Sequence, residues 1–177
     1  MSTETDPTTV ELPIEGIDPI FRHMDDPDMP WQLCRAQRNA DGSESFVREK
    51  WFAFSPDPQY LSLYAEYDPG MMVRRHGPYS PHIGFVIAGG LWFGDRWCPA
   101  GTHVELPFGA AFGPIRAGDE GAKLYEVMMG DPRSWGDQPE AYEAELVERG
   151  VTPLPEPPVD FPEWLSDLRQ QWAGADD

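Results

Sequence analysis

The stretch from residue 70 to residue 89, GMMVRRHGPYSPHIGFVIAG, decides the fold class of this 177-residue chain. It begins and ends with glycine and carries two histidines, His76 and His82. Its second half is a short run of β-branched and aromatic residues between a proline and a glycine, which is typical of a β-strand. Similar runs recur through the middle of the chain, so the sequence predicts an all-β body.

Turn residues divide this body into short segments. Twenty prolines and 17 glycines are spread along the chain, and the clearest hairpin turn is the stretch from Asn39 to Gly42. The predicted strands cover residues 31–37, 44–54, 59–67, 71–75, 82–88, 91–97, 102–106 and 122–128. Strands of this number and length predict a sandwich or barrel.

The chain ends differ from the body in composition. Residues 1–30 form an acidic, proline-rich arm that cannot hold a continuous helix, although its apolar residues could pin it to the body. These apolar residues are Ile14, Ile17, Ile20 and Phe21. We place the body at residues 31–130 and a helical extension at residues 131–177.

Two helices are predicted in the extension. Residues 140–149 have helical spacing that Gly150 ends, and a second helix is expected to begin at Asp160, where Glu163 completes a capping box. Apolar residues follow along one face of this second helix: Phe161, Trp164, Leu165, Leu168 and Trp172. Such a face would pack on the body or on a second copy of the chain, so we expect a homodimer.

The charge of the protein excludes several partners. Thirteen Lys and Arg residues against 31 Asp and Glu residues give a net charge of -18, which repels nucleic acids and anionic lipid surfaces. The sequence has neither a signal peptide pattern nor an apolar run near the roughly 20 residues that cross a bilayer. Together these features predict a soluble, cytoplasmic protein that binds a small molecule.

Residues 70–89 resemble the first motif of the cupins, G-x5-H-x-H-x3-E-x6-G. Residues 101–116, GTHVELPFGAAFGPIR, keep the frame of the second cupin motif, G-x5-P-x-G-x2-H-x3-N, including both glycines and the proline. Two motifs in the right order make the resemblance specific. The chain therefore resembles a small single-domain, RmlC-like cupin, which implies a double-stranded β-helix, or jelly roll, with its site inside a barrel.

The resemblance also implies a divalent metal, held by two histidines and a carboxylate of the first motif and by one histidine of the second. His76 keeps the first ligand position, and His82 stands where the carboxylate would be. Pro78 and Phe112 replace the remaining histidines and cannot bind metal. Two histidines alone would hold Fe, Mn, Ni or Zn in a weak, open site.

A third ligand could come from the strand that follows. His103 and Glu105 are two residues apart on a predicted strand and so share one face, while Val104 and Leu106 share the opposite face. If the polar face points inward, His103 joins His76 and His82 as a metal ligand. The alternative is that Val104 and Leu106 face the interior and that the polar pair faces solvent.

Further residues are candidates for binding the substrate. Arg74 is expected to share the inward face of His76 and to bind a carboxylate or enolate, which makes it a catalytic candidate beside the two histidines, although a salt bridge within the protein is an alternative. The predicted substrate contacts are Tyr79, Trp97, Phe112 and Arg116. The aromatic members of this set could instead serve core or dimer packing.

Three functions remain open. The first is a metal-dependent dioxygenase or lyase that acts on a small oxygenated organic substrate. The second is a metal-free isomerase, cyclase or dehydratase in which His76 and His82 exchange protons while Arg74 or Arg116 stabilises an oxyanion. The third is a non-catalytic ligand-binding or structural protein. Motifs for nucleotide binding and for a serine nucleophile are absent from the sequence, which leaves the barrel interior as the candidate site.

Overall fold

The computed structural model describes residues 16–158 and confirms that this part of the chain is mostly β. The first nine strands are β1 (Gln32–Arg38), β2 (Glu44–Pro56), β3 (Gln59–Tyr67), β4 (Met72–Val73), β5 (His76–Pro78), β6 (His82–Phe93), β7 (Arg96–Pro99), β8 (His103–Leu106) and β9 (Ile115–Met128). They are followed by β10 (Ser134–Gly136), the helix α1 (Pro139–Arg149) and β11 (Thr152–Pro153).

Nine of these strands form one antiparallel sheet in the order β11-β1-β2-β3-β9-β6-β7, with β4 beside β9 and β8 beside β6. Strands β5 and β10 form a separate two-stranded sheet. Within residues 16–158 the ladder does not join β7 to β11, so the predicted barrel is not closed. The short strand β11, which pairs with β1, forms one edge of the sheet, and β7 forms the other. Among the described residues, no helix is long and apolar enough to cross a lipid bilayer.

The core lies between the inward faces of the long strands. Along β6, the side chains of His82 and Val86 are buried while those of Ile83, Phe85 and Ile87 are exposed, which is the alternation expected of a strand with one buried face. The core cluster includes Val47, Leu61, Leu63, Leu91, Ile115 and Leu124. This alternation determines which polar side chains of the same strands also point inward.

Strand prediction succeeded for most of the body but failed at the glycines. The predicted strand at 59–67 coincides with β3, and the hairpin turn from Asn39 to Gly42 joins β1 to β2. The predicted break at Gly89 is wrong, because β6 runs through it and only changes register there. Likewise, the predicted strand at 122–128 is the second half of β9. Bulges let these two long strands bend without ending.

The described part of the predicted helical extension contains one helix, α1, and also the strands β10 and β11, which the sequence did not predict. Helix α1 ends at Gly150, whose backbone N–H donates to the last turn from a left-handed conformation. The second predicted helix, from Asp160 onward, lies outside the described residues, and the homodimer inferred from it stays a prediction.

The N-terminal arm is attached differently from the prediction. Residues 16–30 contain neither helix nor strand. Ile17, Ile20 and Phe21 are exposed, so the expected anchoring by these three residues is wrong, and Ile14 lies outside the described residues. The arm instead contacts the body through buried Met29 and through the backbone oxygen of Met24, which accepts a hydrogen bond from Lys50.

The close approach of the paired strands β6 and β9 at Gly89 provides a test of the fold. Gly89 has a φ of +64°, and a Cβ atom there would lie 2.1 Å from the carbonyl oxygen of Gly121. We expect Gly89→Ala to reduce the free energy of unfolding by about 3 kcal/mol, because it adds backbone strain and a clash with a backbone atom. Urea unfolding followed by tryptophan fluorescence measures this change.

Gly101→Ala is the matched control. Gly101 has a φ of +90°, but a Cβ atom there would meet no atom within 4 Å, so the substitution carries strain without a clash. We expect it to cost about 1 kcal/mol. Equal losses for the two variants would show that the approach of Gly89 to Gly121 does not constrain the fold.

Candidate functional site

A cavity of about 370 Å³ lies between the inward faces of the strands. Its wall is largely apolar, with contributions from Leu61, Leu91, Phe93, Val104, Leu106 and Ile115. One side is formed by the end of the described chain, residues 154–158, which we call the C-terminal strap. Glu156, Pro157 and Pro158 of this strap line the cavity. Such a space fits a small, mostly apolar ligand.

His82 and Glu126 form a polar pair in this apolar wall. The register of β6 with β9 places Glu126 diagonally opposite His82 on the inward face. The Nδ1 atom of His82 lies 3.2 Å from Oε1 of Glu126, and the histidine side chain is only 5% exposed. Its Nε2 atom is buried and has no hydrogen-bond partner among the described residues. Since buried polar atoms are normally paired, this atom is available for a ligand.

His76 lies on β5 and lines the same cavity. Its Nδ1 atom donates a hydrogen bond to the backbone oxygen of Arg74 at 2.8 Å, because a carbonyl oxygen can only accept. Its ring packs on Phe112 with 4.3 Å between the ring centroids. Burial lowers the pKa of His76, so the ring is neutral at pH 7 and its Nε2 atom is an acceptor.

Glu49 is the second carboxyl group that lines the cavity. It follows the alternation of β2 between Val47 and Trp51, and its Oε2 accepts a hydrogen bond from Trp51 Nε1 at 2.8 Å. Burial raises the pKa of Glu49, and the negative charge of Glu126 raises it further. Glu49 therefore keeps its proton to a higher pH than a carboxyl group in water.

Two more titratable groups of the cavity are neutral at pH 7. Burial raises the pKa of the Cys34 thiol and of the Tyr67 hydroxyl, and the carboxylates nearby act in the same direction. The cavity thus combines hydrogen-bond donors that stay protonated with histidine nitrogens that can accept a proton.

Three of the residues predicted from sequence line this cavity: His76, His82 and Phe112. Arg74, expected to point inward with His76, is exposed and does not line the cavity, because the chain between β4 and β5 does not follow strand alternation. Its backbone oxygen is the one that accepts from His76. His103 also lies outside. Its side chain is 52% exposed and contacts that of Glu105 on the outer face of β8, while Val104 and Leu106 face the cavity.

The remaining predicted substrate contacts also lie away from the cavity. Tyr79 is exposed and packs against Arg133. Trp97 covers Gly90 and Gly118 at the other end of the sheet, beside Trp92. Arg116 stacks on Trp92 and forms an ion pair with Glu145 of α1.

The sequence analysis missed the two carboxyl groups of the cavity, although a signal existed for both. Glu126 alternates with Leu124 and Met128 in a predicted strand, and Glu49 alternates with Val47 in another. A carboxyl group at an inward position marks an unusual buried acid. Arg35 had no such signal, because it reaches the cavity through a register shift between Leu33 and Arg35 on β1.

The cavity residues do not fit the metal that the resemblance implies. Among residues 16–158, no three His, Cys, Asp or Glu side chains form a group that could hold a metal ion. A metal ion needs several deprotonated donors that converge on one point.

Comparison with known proteins identifies the fold. No protein-family model and no curated protein matches the sequence. Among solved structures, a proposed acetylacetone dioxygenase of Methylibium petroleiphilum PM1 is similar to this chain, with 15% identity and a TM-score of 0.52. The aligned region covers 72% of this chain and 94% of the dioxygenase chain. An RmlC-like cupin protein of Ralstonia eutropha JMP134 shares 15% identity over 76% of this chain and 92% of its own, with a TM-score of 0.48.

A third similar structure is KdgF of Halomonas sp., with 17% identity, 48% of this chain covered, 80% of its own length covered and a TM-score of 0.41. At such identities the similarity establishes the fold and leaves the reaction open. The order of the strands, the inward cavity and the similarity to solved cupins agree, and the chain therefore has the RmlC-like cupin fold.

Proposed function

We propose that this protein is a metal-independent cupin enzyme that transfers protons on a small, partly apolar, oxygenated substrate, as an isomerase, cyclase or dehydratase does. The observation that carries this proposal is the buried Nε2 atom of His82, which lines the cavity and has no partner in the described chain, while Nδ1 of the same ring lies 3.2 Å from Glu126.

His82 is the proposed base. A carboxylate at Nδ1 favours the tautomer that carries its proton on Nδ1 and leaves the lone pair of Nε2 directed at a ligand. When Nε2 takes a proton from the substrate, the ring becomes cationic, and the charge of Glu126 stabilises it. Glu126 is thus a positioning residue that acts through His82.

Glu49 is the proposed acid. Its raised pKa means that it holds its proton to a higher pH than a carboxyl group in water does, and Trp51 fixes one of its oxygens. A protonated carboxyl group in a water-poor cavity can donate to a substrate oxygen as negative charge develops there. A proton shift or a dehydration requires both a base and an acid, and His82 and Glu49 are the proposed pair.

Two other functions were open from the sequence. The described residues do not supply the donor set that a metal-dependent dioxygenase or lyase needs, so we derive no step through a metal. Binding of a ligand without turnover is compatible with the apolar wall, and it is separated from catalysis by the isotope experiment below.

The first prediction concerns the stability contributed by Glu49. In the unfolded chain its pKa is near the ordinary value of 4.5, and in the folded protein it is higher. The contribution of Glu49 to the free energy of unfolding is therefore complete below pH 4.5, and it is lost as the pH rises through the pKa that Glu49 has in the folded protein. We expect Glu49→Gln, which cannot ionise, to gain stability relative to wild type over this range, by about 1.4 kcal/mol for each unit that separates the two pKa values.

Urea unfolding of both proteins at several pH values between 4 and 8 measures this difference. Glu44→Gln is the control, because Glu44 is exposed at the start of β2 and outside the cavity. Parallel stability curves for wild type and Glu49→Gln would contradict a raised pKa at Glu49.

The second prediction concerns catalysis. The wild-type protein is incubated in D2O with one of two small ketones. With cyclohexanone, which reports proton abstraction, we expect faster incorporation of deuterium. With 4-hydroxy-2-butanone, which reports dehydration, we expect faster loss of water. We expect His82→Ala to lower the rate by about 100-fold or more, because a general base is removed. Proton NMR of the small molecules follows both reactions.

Glu126→Gln separates positioning from structure. We expect it to lower the rate less than His82→Ala does and to shift the pH profile, because the amide cannot stabilise the cationic ring. His103→Ala, on the outer face, should match wild type. Equal rates for wild type and His82→Ala would reject the proton-transfer function, and binding of a ketone without any exchange would identify a ligand-binding protein instead.

A further inference from the structure

Arg35 is the only Arg or Lys among the residues that line the cavity in the described part of the chain. It reaches the cavity because a register shift on β1 turns both Cys34 and Arg35 toward the interior. Burial lowers the pKa of Arg35, which means that its cation has lost part of its hydration. A guanidinium in such a place binds an anion more strongly than one on the surface.

The partner of Arg35 belongs to the chain itself. Nη1 of Arg35 forms an ion pair with Oε1 of Glu156 on the C-terminal strap. The two side chains differ in environment, since that of Glu156 is 67% exposed and that of Arg35 is 33% exposed. Glu156 thus reaches from the solvent side into the wall of the cavity, where a carboxylate meets the guanidinium.

Among the described residues, backbone contacts also hold the strap near the cavity. The backbone N–H of Leu154 donates to the oxygen of Ala36 at 3.0 Å, and the two-residue strand β11 pairs with the end of β1. Beyond Leu154 the strap is rich in proline, whose nitrogen donates no hydrogen bond. The contact of Glu156 with Arg35 is therefore one that a competing anion can replace at low cost.

We propose that Arg35 binds a carboxylate group of the substrate and that Glu156 occupies this position when no substrate is bound. Exchange of one carboxylate for another leaves the charge beside Arg35 unchanged, which matters in a cavity that also contains Glu49 and Glu126. The apolar wall then surrounds the rest of the molecule. The substrate class is a small carboxylic acid with an apolar body, and this assignment rests on the proposed proton-transfer function for its chemical step.

The test compares two probes of the same shape. Cyclohexanecarboxylate carries the anion, and cyclohexyl methyl ketone replaces it by a neutral acetyl group. The indole N–H of Trp51, which donates to Glu49 beside the cavity, reports binding as a chemical-shift change in the NMR spectrum. Comparison with the spectrum of Trp51→Phe assigns this signal.

Two variants change the affinity in opposite directions. We expect Arg35→Met, which keeps a long apolar side chain, to raise the Kd of the carboxylate by about 10-fold or more. We expect Glu156→Gln, which removes the internal competitor, to lower it by about threefold. The Kd of the ketone should change little in either variant. In wild type, the carboxylate should also speed hydrogen exchange of the Leu154 amide, whereas the ketone should not.

The pair of Arg38 and Glu44 supplies the matched control. It also joins an arginine of β1 to a glutamate, at 3.2 Å, but it lies outside the cavity. Glu44→Gln should therefore leave the Kd of both probes unchanged. Because Glu156 is exposed, its variant is expected to fold even if Arg35→Met does not, and Arg35→Lys offers a milder change at the same position.

The proposal is overturned if Arg35→Met leaves the Kd of the carboxylate unchanged. It is also overturned if Glu44→Gln tightens carboxylate binding as much as Glu156→Gln does. A third contrary result is the absence of any carboxylate-induced chemical-shift change at millimolar concentration in both wild type and Glu156→Gln. The assay measures binding without turnover. Carboxylate binding that depends on Arg35, without isotope exchange that depends on His82, would reject the enzyme and keep the anion site. Isotope exchange that depends on His82, without carboxylate binding that depends on Arg35, would reject the anion site and keep the enzyme.

Discussion

The pairing of β6 with β9 is the constraint on which the rest of the structure depends. These two long strands run side by side next to the edge strand β7 and change register at Gly89, where the backbone comes too close to Gly121 for any side chain. Their register also places Glu126 diagonally opposite His82. One set of backbone hydrogen bonds thus holds the sheet together and aligns the two polar groups of the candidate site.

Polar groups in this interior are costly, and their arrangement limits the chemistry. A buried histidine with one unpaired nitrogen loses hydration that no described protein group replaces. Glu49 responds to the same environment by holding its proton, as its raised pKa shows. A stable apolar core would need neither group. Their presence at inward positions of β6 and β2 supports the proposed ligand site, and the raised pKa of Glu49 supports its proposed part in proton transfer.

The cavity is bounded by parts of the chain that are far apart in sequence. Arg35 comes from the first strand, His82 from the middle of the chain, and Glu156 from the strap near the end of the described residues. The strap directly follows β11, the strand at one open edge of the sheet, and it places a carboxylate of the protein against Arg35. The edge of the sheet and one wall of the cavity are thus formed by consecutive segments of the chain.

Sequence by itself determined the all-β class, the cupin motifs, the extent of β3, the helix that ends at Gly150 and the two histidines of the cavity. These features depend on local alternation, turn residues and spacing, which adjacent residues carry. Only the tertiary structure decided that Arg74 and His103 lie outside, that Glu49 and Glu126 lie inside, and that Arg35 meets Glu156. The physical reason is that irregular backbone and register shifts reverse the side of the sheet on which a residue lies, and that contacts across more than a hundred residues depend on how the strands pair.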